Sequence, residues 1–361
     1  MYTKSELAIL ALDYQDISYK KICDIVFNVQ NLEEIFDKKN TQFLQNYLSQ
    51  KEISFLTEMP IEQIEKLVLS DLDKFGIVAV TFASNDYPLC LKNIDDPPMV
   101  LYLIGNVNLL AKQKIGVVGT RKPTTYGKDV ARKFSAELVE AGLVTISGLS
   151  YGIDACCAEA TLNAGGKHIA VLAGGLDNIY PGQNQDLSKQ IVTSGGLLVS
   201  EYRPFVRPKQ YTFIARNRIV SGLSDGLLVV EAGKQSGTKS TANFCINQGR
   251  ELFVVPGNIF SPQSAGTNEL INEIPDCFTI STEQILNRLN IEPKQSKQTS
   301  NAQLSLLGQQ IIELLTCGDM HFDQIAEQIN APANAVASEL SMLEIMGAIH
   351  KEAGNYYSLA H

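Results

Sequence analysis

Two periodicities divide the chain. The first 75 residues place Leu and Ile at helical intervals among Glu, Gln and Lys, as at Ile61, Ile64, Leu67 and Leu69, and this predicts several short helices. No glycine occurs before Gly76. From there the pattern changes to short, continuous apolar runs. Gly76–Phe82 reads as a strand, and Asp95–Ile104 as a turn leading into another. Six further buried-type strands follow, at Ile115–Gly119, Val144–Gly148, His168–Ala173, Gly196–Glu201, Leu227–Ala232 and Leu252–Gly257. Helical stretches near 128–141, 154–164, 184–194, 214–222 and 239–248 separate them. Apolar strands alternating with crossover helices predict an α/β fold with a doubly wound, mostly parallel sheet.

A polar segment at 292–303 reads as a linker. Three helical stretches follow near 305–316, 322–329 and 333–346, then a hairpin around Gly354-Asn355. Three helices and a two-stranded wing make a winged-helix pattern. The expected organisation is a small helical (SAM-like) domain at 1–75, a Rossmann-like core at 76–291, the linker, and a winged helix at 304–361.

Charge sharpens this division. The net charge is −9, yet residues 112–260 carry 17 Lys+Arg against 11 Asp+Glu, a balance of +6. The flanks, 1–111 and 261–361, stand at −7 and −8. A basic centre between acidic ends is expected where one domain meets a polyanion. Residues 301–361 hold one cation, Lys351, against seven acids, so the winged helix lacks the charge for gripping duplex DNA. The first 75 residues lack the glycines of a DNA-binding helical hairpin and are expected to pack against protein. Seven scattered cysteines without C-x-x-C spacing argue against a disulfide framework and a zinc site. No secretory signal or membrane span is read, so the expectation is a reduced, cytoplasmic protein without metal or cofactor.

Candidate chemistry sits at strand ends, where doubly wound sheets bind ligands. After the first core strand come Gly119, Thr120, Arg121 and Lys122, then Thr124 or Thr125 to cap a helix. A tight turn, a helix N-terminus and two cations predict an anion site. Neither a dinucleotide fingerprint nor a Walker A sequence is present. Gly237, Thr238 and Lys239 open a later helix and read either as a second phosphate cradle or as a capped start with a solvated lysine. Asp154 reads as a helix cap. The densest basic stretch, 202–218, interleaves five cations, Lys209 and Arg216 among them, with four aromatics, the composition of a single-strand-binding surface. Helical spacing puts Phe213, Arg216 and Asn217 on one face.

These residues resemble a known family. Gly119-Thr-Arg121, Gly148-Leu-Ser-Tyr-Gly152-Ile-Asp154, Tyr180-Pro181, Phe213-x-x-Arg216-Asn217-Arg218, Ser236-Gly237-Thr238 and Val255-Pro256-Gly257 stand in the order of the bacterial DprA/Smf family. The likeness runs continuously over about residues 75–275. It implies an extended Rossmann-like core, sequence-independent binding of single-stranded DNA, dimerisation, and loading of the recombinase RecA with displacement of single-strand-binding protein in natural transformation. It also implies that Arg121 contacts phosphate and that Phe213, Arg216 and Arg218 line the strand surface. Where the family often has a histidine four residues after the Asp of G-I-D, this chain has Ala158, which suits a binding protein better than an enzyme. The competing reading is a nucleoside-monophosphate phosphoribohydrolase with Glu231 as acid or base, on a partial echo of that signature at 230–238.

Overall fold

The computed structural model of the chain describes residues 2–29, 31–292, 305–316, 318–352 and 354–359. Apart from Glu292, the linker expected at 292–303 lies outside the described residues. Packing divides the chain into two compact units, residues 1–294 and 295–361.

The larger unit is built on an eight-stranded sheet. Its strands are β1 (Val78–Thr81), β2 (Val100–Gly105), β3 (Lys114–Val118), β4 (Val144–Ser147), β5 (His168–Leu172), β6 (Leu197–Ser200), β7 (Gly226–Val229) and β8 (Glu251–Val254). The order is β1-β2-β6-β5-β4-β3-β7-β8. From β6 to β8 every pairing is parallel, whereas β2 runs antiparallel to both β6 and β1. The core strands β3–β7 are buried along their whole length, which is why they read as unbroken apolar runs. The chain winds outward from β3 through β4 and β5 to β6, then returns to lay β7 on the other side of β3. The reversal makes the carboxyl ends of β3 and β7 the switch point where such sheets leave a crevice.

Helices α1 (Lys4–Tyr14), α2 (Tyr19–Asn28), α3 (Thr41–Leu44), α4 (Gln50–Glu58) and α5 (Ile61–Phe75) precede the sheet. Residue 75 marks a change of element type, not of packing. Leu10, Leu12 and Ile64 share one buried cluster with Val100, Ala170 and Leu172 of the sheet, so the apolar faces of these helices are covered by the same chain. Across the larger unit α6 (Leu89–Lys92), α7 (Thr125–Glu140), α8 (Ile153–Asn163), α9 (Gln185–Thr193), α10 (Gln210–Leu223) and α11 (Thr238–Asn247) connect the strands. Two helices that the sequence pattern did not announce, α12 (Ala265–Glu273) and α13 (Thr282–Arg288), follow β8.

In the smaller unit α14 (Leu306–Leu315), α15 (Phe322–Ile329) and α16 (Ala333–Ile345) pack around Ile311, Ile325, Leu340 and Leu343. Three short strands, β9 (Met320–His321), β10 (Ile349–Lys351) and β11 (Tyr356–Leu359), pair in the order β10-β11-β9. This is the winged helix expected from the sequence.

Candidate nucleic-acid interface

The carboxyl ends of β3 and β7 open into a cleft of about 850 Å³. Nine of the expected residues line it: Gly119 to Lys122 on one wall, Phe213, Arg216 and Asn217 on a second, Gly237 and Thr238 on a third. They come from three separate segments of the chain, brought together by the crossover topology.

The first wall is the turn after β3. Thr120 N donates to the Glu231 carbonyl (2.7 Å), and Thr120 Oγ1 donates to Gln263 Oε1 (3.0 Å) while accepting from Lys122 N (3.2 Å). With the backbone thus fixed, the Arg121 and Lys122 side chains are exposed, and neither forms an ion pair among the described residues. The Arg121 guanidinium stands 5.1 Å from the centroid of the Phe213 ring, which packs in a T-shaped arrangement with Tyr180 at 5.8 Å between centroids. A cation over an aromatic face supplies phosphate charge and a base-stacking plane at one place.

The helix N-terminus next to this turn departs from expectation. The cap amide of α7 does not await an external anion, because Glu231 already occupies it. Its carboxylate is 1% exposed and accepts from Thr124 N (2.9 Å) and Thr124 Oγ1 (2.7 Å); Thr124 Oγ1 in turn accepts from Gly127 N (3.1 Å). A Cβ at position 127 would collide with this carboxylate, so glycine there admits it. An internal anion at a helix N-terminus is favoured by the macrodipole for the same reason a phosphate would be. The groups of the first wall that suit an anion are therefore its two cationic side chains.

The second wall depends on Arg216, which is 3% exposed. Its guanidinium donates to the carbonyls of Gly148 and Val171, and a Cβ at Gly148 would clash with it. Asp154, expected to cap α8, instead reaches back to accept from Gly148 N (3.1 Å) and Ser150 N (3.3 Å). Between these two sits Leu149, held at φ 51°, a backbone region costly for a branched side chain. Burial raises the Asp154 carboxyl, an effect the nearby Arg216 charge opposes. Burial pulls Arg216 down to about 10, which leaves it protonated at neutral pH. Arg216 is thus a strut in the wall, with its Nη1 group committed to two carbonyls. Asn217, its neighbour, donates to Ser240 Oγ (3.2 Å) and ties α10 to α11.

Three expected residues lie elsewhere. Arg218 forks onto Glu201 at 2.8 and 2.6 Å and donates to the Asp96 carbonyl at 2.8 Å. Residues two apart on a helix point about 200° apart, so Arg216 in the cleft wall forces Arg218 away from it. Lys239 is neutralised by Glu269 and is not a free phosphate cradle. Lys209 caps the start of α10 with its ammonium near the Tyr211 ring (5.9 Å), outside the cleft lining. Conversely, Gln210, Gln235 and Gln263 line the cleft, and no local sequence signal marks them. The described residues hold no cluster of three or more His, Cys, Asp or Glu suited to a metal ion, and none of their helices is long and apolar enough to cross a membrane.

Fold and site together define a Rossmann-like protein with a cation-bearing cleft at its switch point, joined to a winged-helix domain. Residues 78–290 match the family model of DNA recombination-mediator protein A, and residues 295–355 match the DprA winged helix domain. The chain belongs to the DprA family. It is 42% identical over 207 residues to DNA processing protein DprA of Bacillus subtilis, covering 57% of this chain and 69% of that one. To Protein Smf of Escherichia coli it is 37% identical over 286 residues, 76% of each chain. The X-ray structure of DNA processing protein A from Streptococcus pneumoniae superposes with TM-score 0.67 at 30% identity, over 79% of this chain and 98% of that one. A structure of DNA processing protein A from Helicobacter pylori, described for its single-stranded DNA binding mode, superposes with TM-score 0.54 at 31% identity over 59% and 95%.

Proposed function

We propose that this protein binds single-stranded DNA in the switch-point cleft, without requiring a sequence motif. The observation that carries this reading is the exposed pair Arg121 and Lys122, neither of them in an ion pair among the described residues, with Arg121 over the Phe213 ring. Phosphates would sit on the two cations and a base on the ring, the combination that holds single strands irrespective of sequence. The named relative from Helicobacter pylori supports the same ligand. Following its family, the protein then acts as a homodimer in the cytoplasm. It loads RecA recombinase onto incoming strands in natural transformation and recombination, displacing single-strand-binding protein indirectly.

The reading is of a binding protein that performs no turnover. Glu231, the acid or base of the competing phosphoribohydrolase reading, is committed through both oxygens to Thr124, and this favours a bracing role. Fluorescence anisotropy of a labelled oligo-dT against rising salt, without nucleotide or metal, tests the ligand. Tight binding with a steep salt slope, weakened in Arg121→Ala, is expected. Absence of binding at low salt overturns the reading and turns attention to release of free base from nucleoside monophosphates. RecA filament growth on strands precoated with single-strand-binding protein, with and without this protein, tests the loading role.

A further inference from the structure

The Phe213 ring in the cleft wall has a counterpart just outside the cleft. Tyr211 is 63% exposed. Among the described residues its ring meets no other ring and its hydroxyl forms no hydrogen bond. Two other exposed rings are by contrast held by the protein itself. Phe205 lies against Phe75 at 5.6 Å between centroids, and the Tyr126 hydroxyl donates to the Pro256 carbonyl at 2.7 Å.

Tyr211 also borders the cleft. Gln210 and Ile214, which line it, are its neighbours on α10. The first precedes it in sequence, and the second lies three residues on, where helix side chains stand about 5–6 Å apart at Cβ. Phe213 is two residues on and points about 200° away. The two rings therefore flank the strip of α10 that Gln210 and Ile214 present to the cleft.

The charge beside the ring is arranged as in the first wall. Lys209 N donates to Thr212 Oγ1 (2.9 Å), which donates in turn to the Lys209 carbonyl (2.8 Å). The preceding segment is seated as well: Gly175 N donates to the Val206 carbonyl (2.8 Å), and Pro208 lies so close to Gly174 that a Cβ there would meet it at 2.9 Å. On this backbone the Lys209 side chain is exposed and enters no ion pair among the described residues. Its ammonium stands 5.9 Å from the centroid of the Tyr211 ring.

We infer that Tyr211 and Lys209 form a second stacking station, on which a single strand leaving the cleft across Gln210 and Ile214 lays a further base and phosphate. The ring supplies the plane and the ammonium the counter-charge, whatever the base. The station rests on the single-strand-binding reading above and extends it beyond the cleft.

The chain contains no tryptophan, so Tyr211→Trp and, separately, Phe213→Trp each introduce a lone indole whose fluorescence reports a stacked base. Unlabelled dT20 is titrated into each, with binding followed in parallel by anisotropy of the labelled strand. Quenching of the Tyr211→Trp indole that saturates together with the anisotropy is expected. Tyr211→Ala, which needs no indole, is expected to weaken dT20 binding by roughly five- to 150-fold, the worth of one stacked base. Lys209→Ala is expected to lower the salt slope by about 0.7. A silent indole in Tyr211→Trp on a bound strand, or a loss below about twofold in Tyr211→Ala, overturns the station, while quenching in Phe213→Trp keeps the cleft reading standing. Failure of dT20 to bind the unaltered protein at low salt overturns the cleft reading and the station with it.

Discussion

The carboxylate of Glu231 and the cap residue Thr124, 107 positions apart in sequence, are joined by two hydrogen bonds of 2.7 and 2.9 Å. That link fixes where α7 begins, and hence the short turn from Gly119 to Lys122. The two cations of the first wall, Arg121 and Lys122, are exposed side chains on a hydrogen-bonded backbone.

Arg121 and Phe213 are expected to contribute separably. Phe213→Ala removes a stacking plane and should weaken oligo-dT binding by ~1–3 kcal/mol with the salt slope unchanged. Arg121→Ala should lower that slope by about 0.7 for each phosphate that the side chain no longer neutralises. Anisotropy across a salt series measures both. Because the groups touch at 5.1 Å, the double variant should fall short of additivity.

Arg218 should matter to folding rather than to DNA. Its side chain is 8% exposed and its partner Glu201 11%. Breaking such a pair leaves an uncompensated buried charge, so Arg218→Ala should cost about 3–5 kcal/mol in urea unfolding. Arg121→Ala, on an exposed turn, should stay within about 0.5 kcal/mol of the unaltered chain.

Asp13 and His168 should tilt stability in opposite directions with pH. Burial pushes the Asp13 carboxyl, which accepts from Tyr102 Oη at 2.6 Å, from 3.8 up to about 6. Between those values the folded state keeps a proton that the unfolded chain has released, so this contribution falls as pH rises. His168 sits between Thr145 and Ser147 hydroxyls, and burial pulls it from 6.5 down to about 3. The unfolded chain takes up a proton there that the folded state refuses, so this contribution falls as pH falls. Each slope is about 1.4 kcal/mol per pH unit at most, and the two oppose each other between about pH 4 and 6. Asp13→Asn removes the first. Urea unfolding should then show its stability falling more steeply from pH 6 to pH 4 than in the unaltered chain, by roughly 1 kcal/mol per unit. Equal slopes would return Asp13 to an ordinary value.

The winged helix should add little to DNA affinity. With one cation against seven acids in residues 301–361, docking it on phosphates gains no counterion release. The chain ending at Lys294, the limit of the larger compact unit, should bind oligo-dT within twofold of the full chain by anisotropy. A tenfold loss would assign the acidic unit a direct role.

The sheet was legible because β3–β7 are covered on both faces and so appear as continuous apolar runs, each ended by glycine or a polar turn. The cleft's first wall was legible for a related reason, since a turn that must expose two cations after a buried strand has few alternatives. What escaped the sequence is long-range. Nothing near Thr124 shows that the helix start will be filled by Glu231, and nothing near Thr120 shows that it will bond Gln263. Arg216 and Arg218 look alike as composition. Their two-residue spacing nevertheless separates them, and helical geometry alone placed Phe213, Arg216 and Asn217 together without Arg218. The packing of the N-terminal helices against the sheet left no mark, because an apolar helix face has the same pattern whichever surface covers it.

With Glu231 seated on the cap amide of α7, the exposed part of the first wall consists of the long Arg121 and Lys122 side chains. A cradle of fixed amides holds each phosphate at one position, and a strand could advance only by breaking every hydrogen bond together. Long, solvated side chains can follow a phosphate, release it and take the next. On the proposed single-strand-binding reading, a grip made by such side chains would have no fixed register, and a strand held by it would advance one nucleotide at a time.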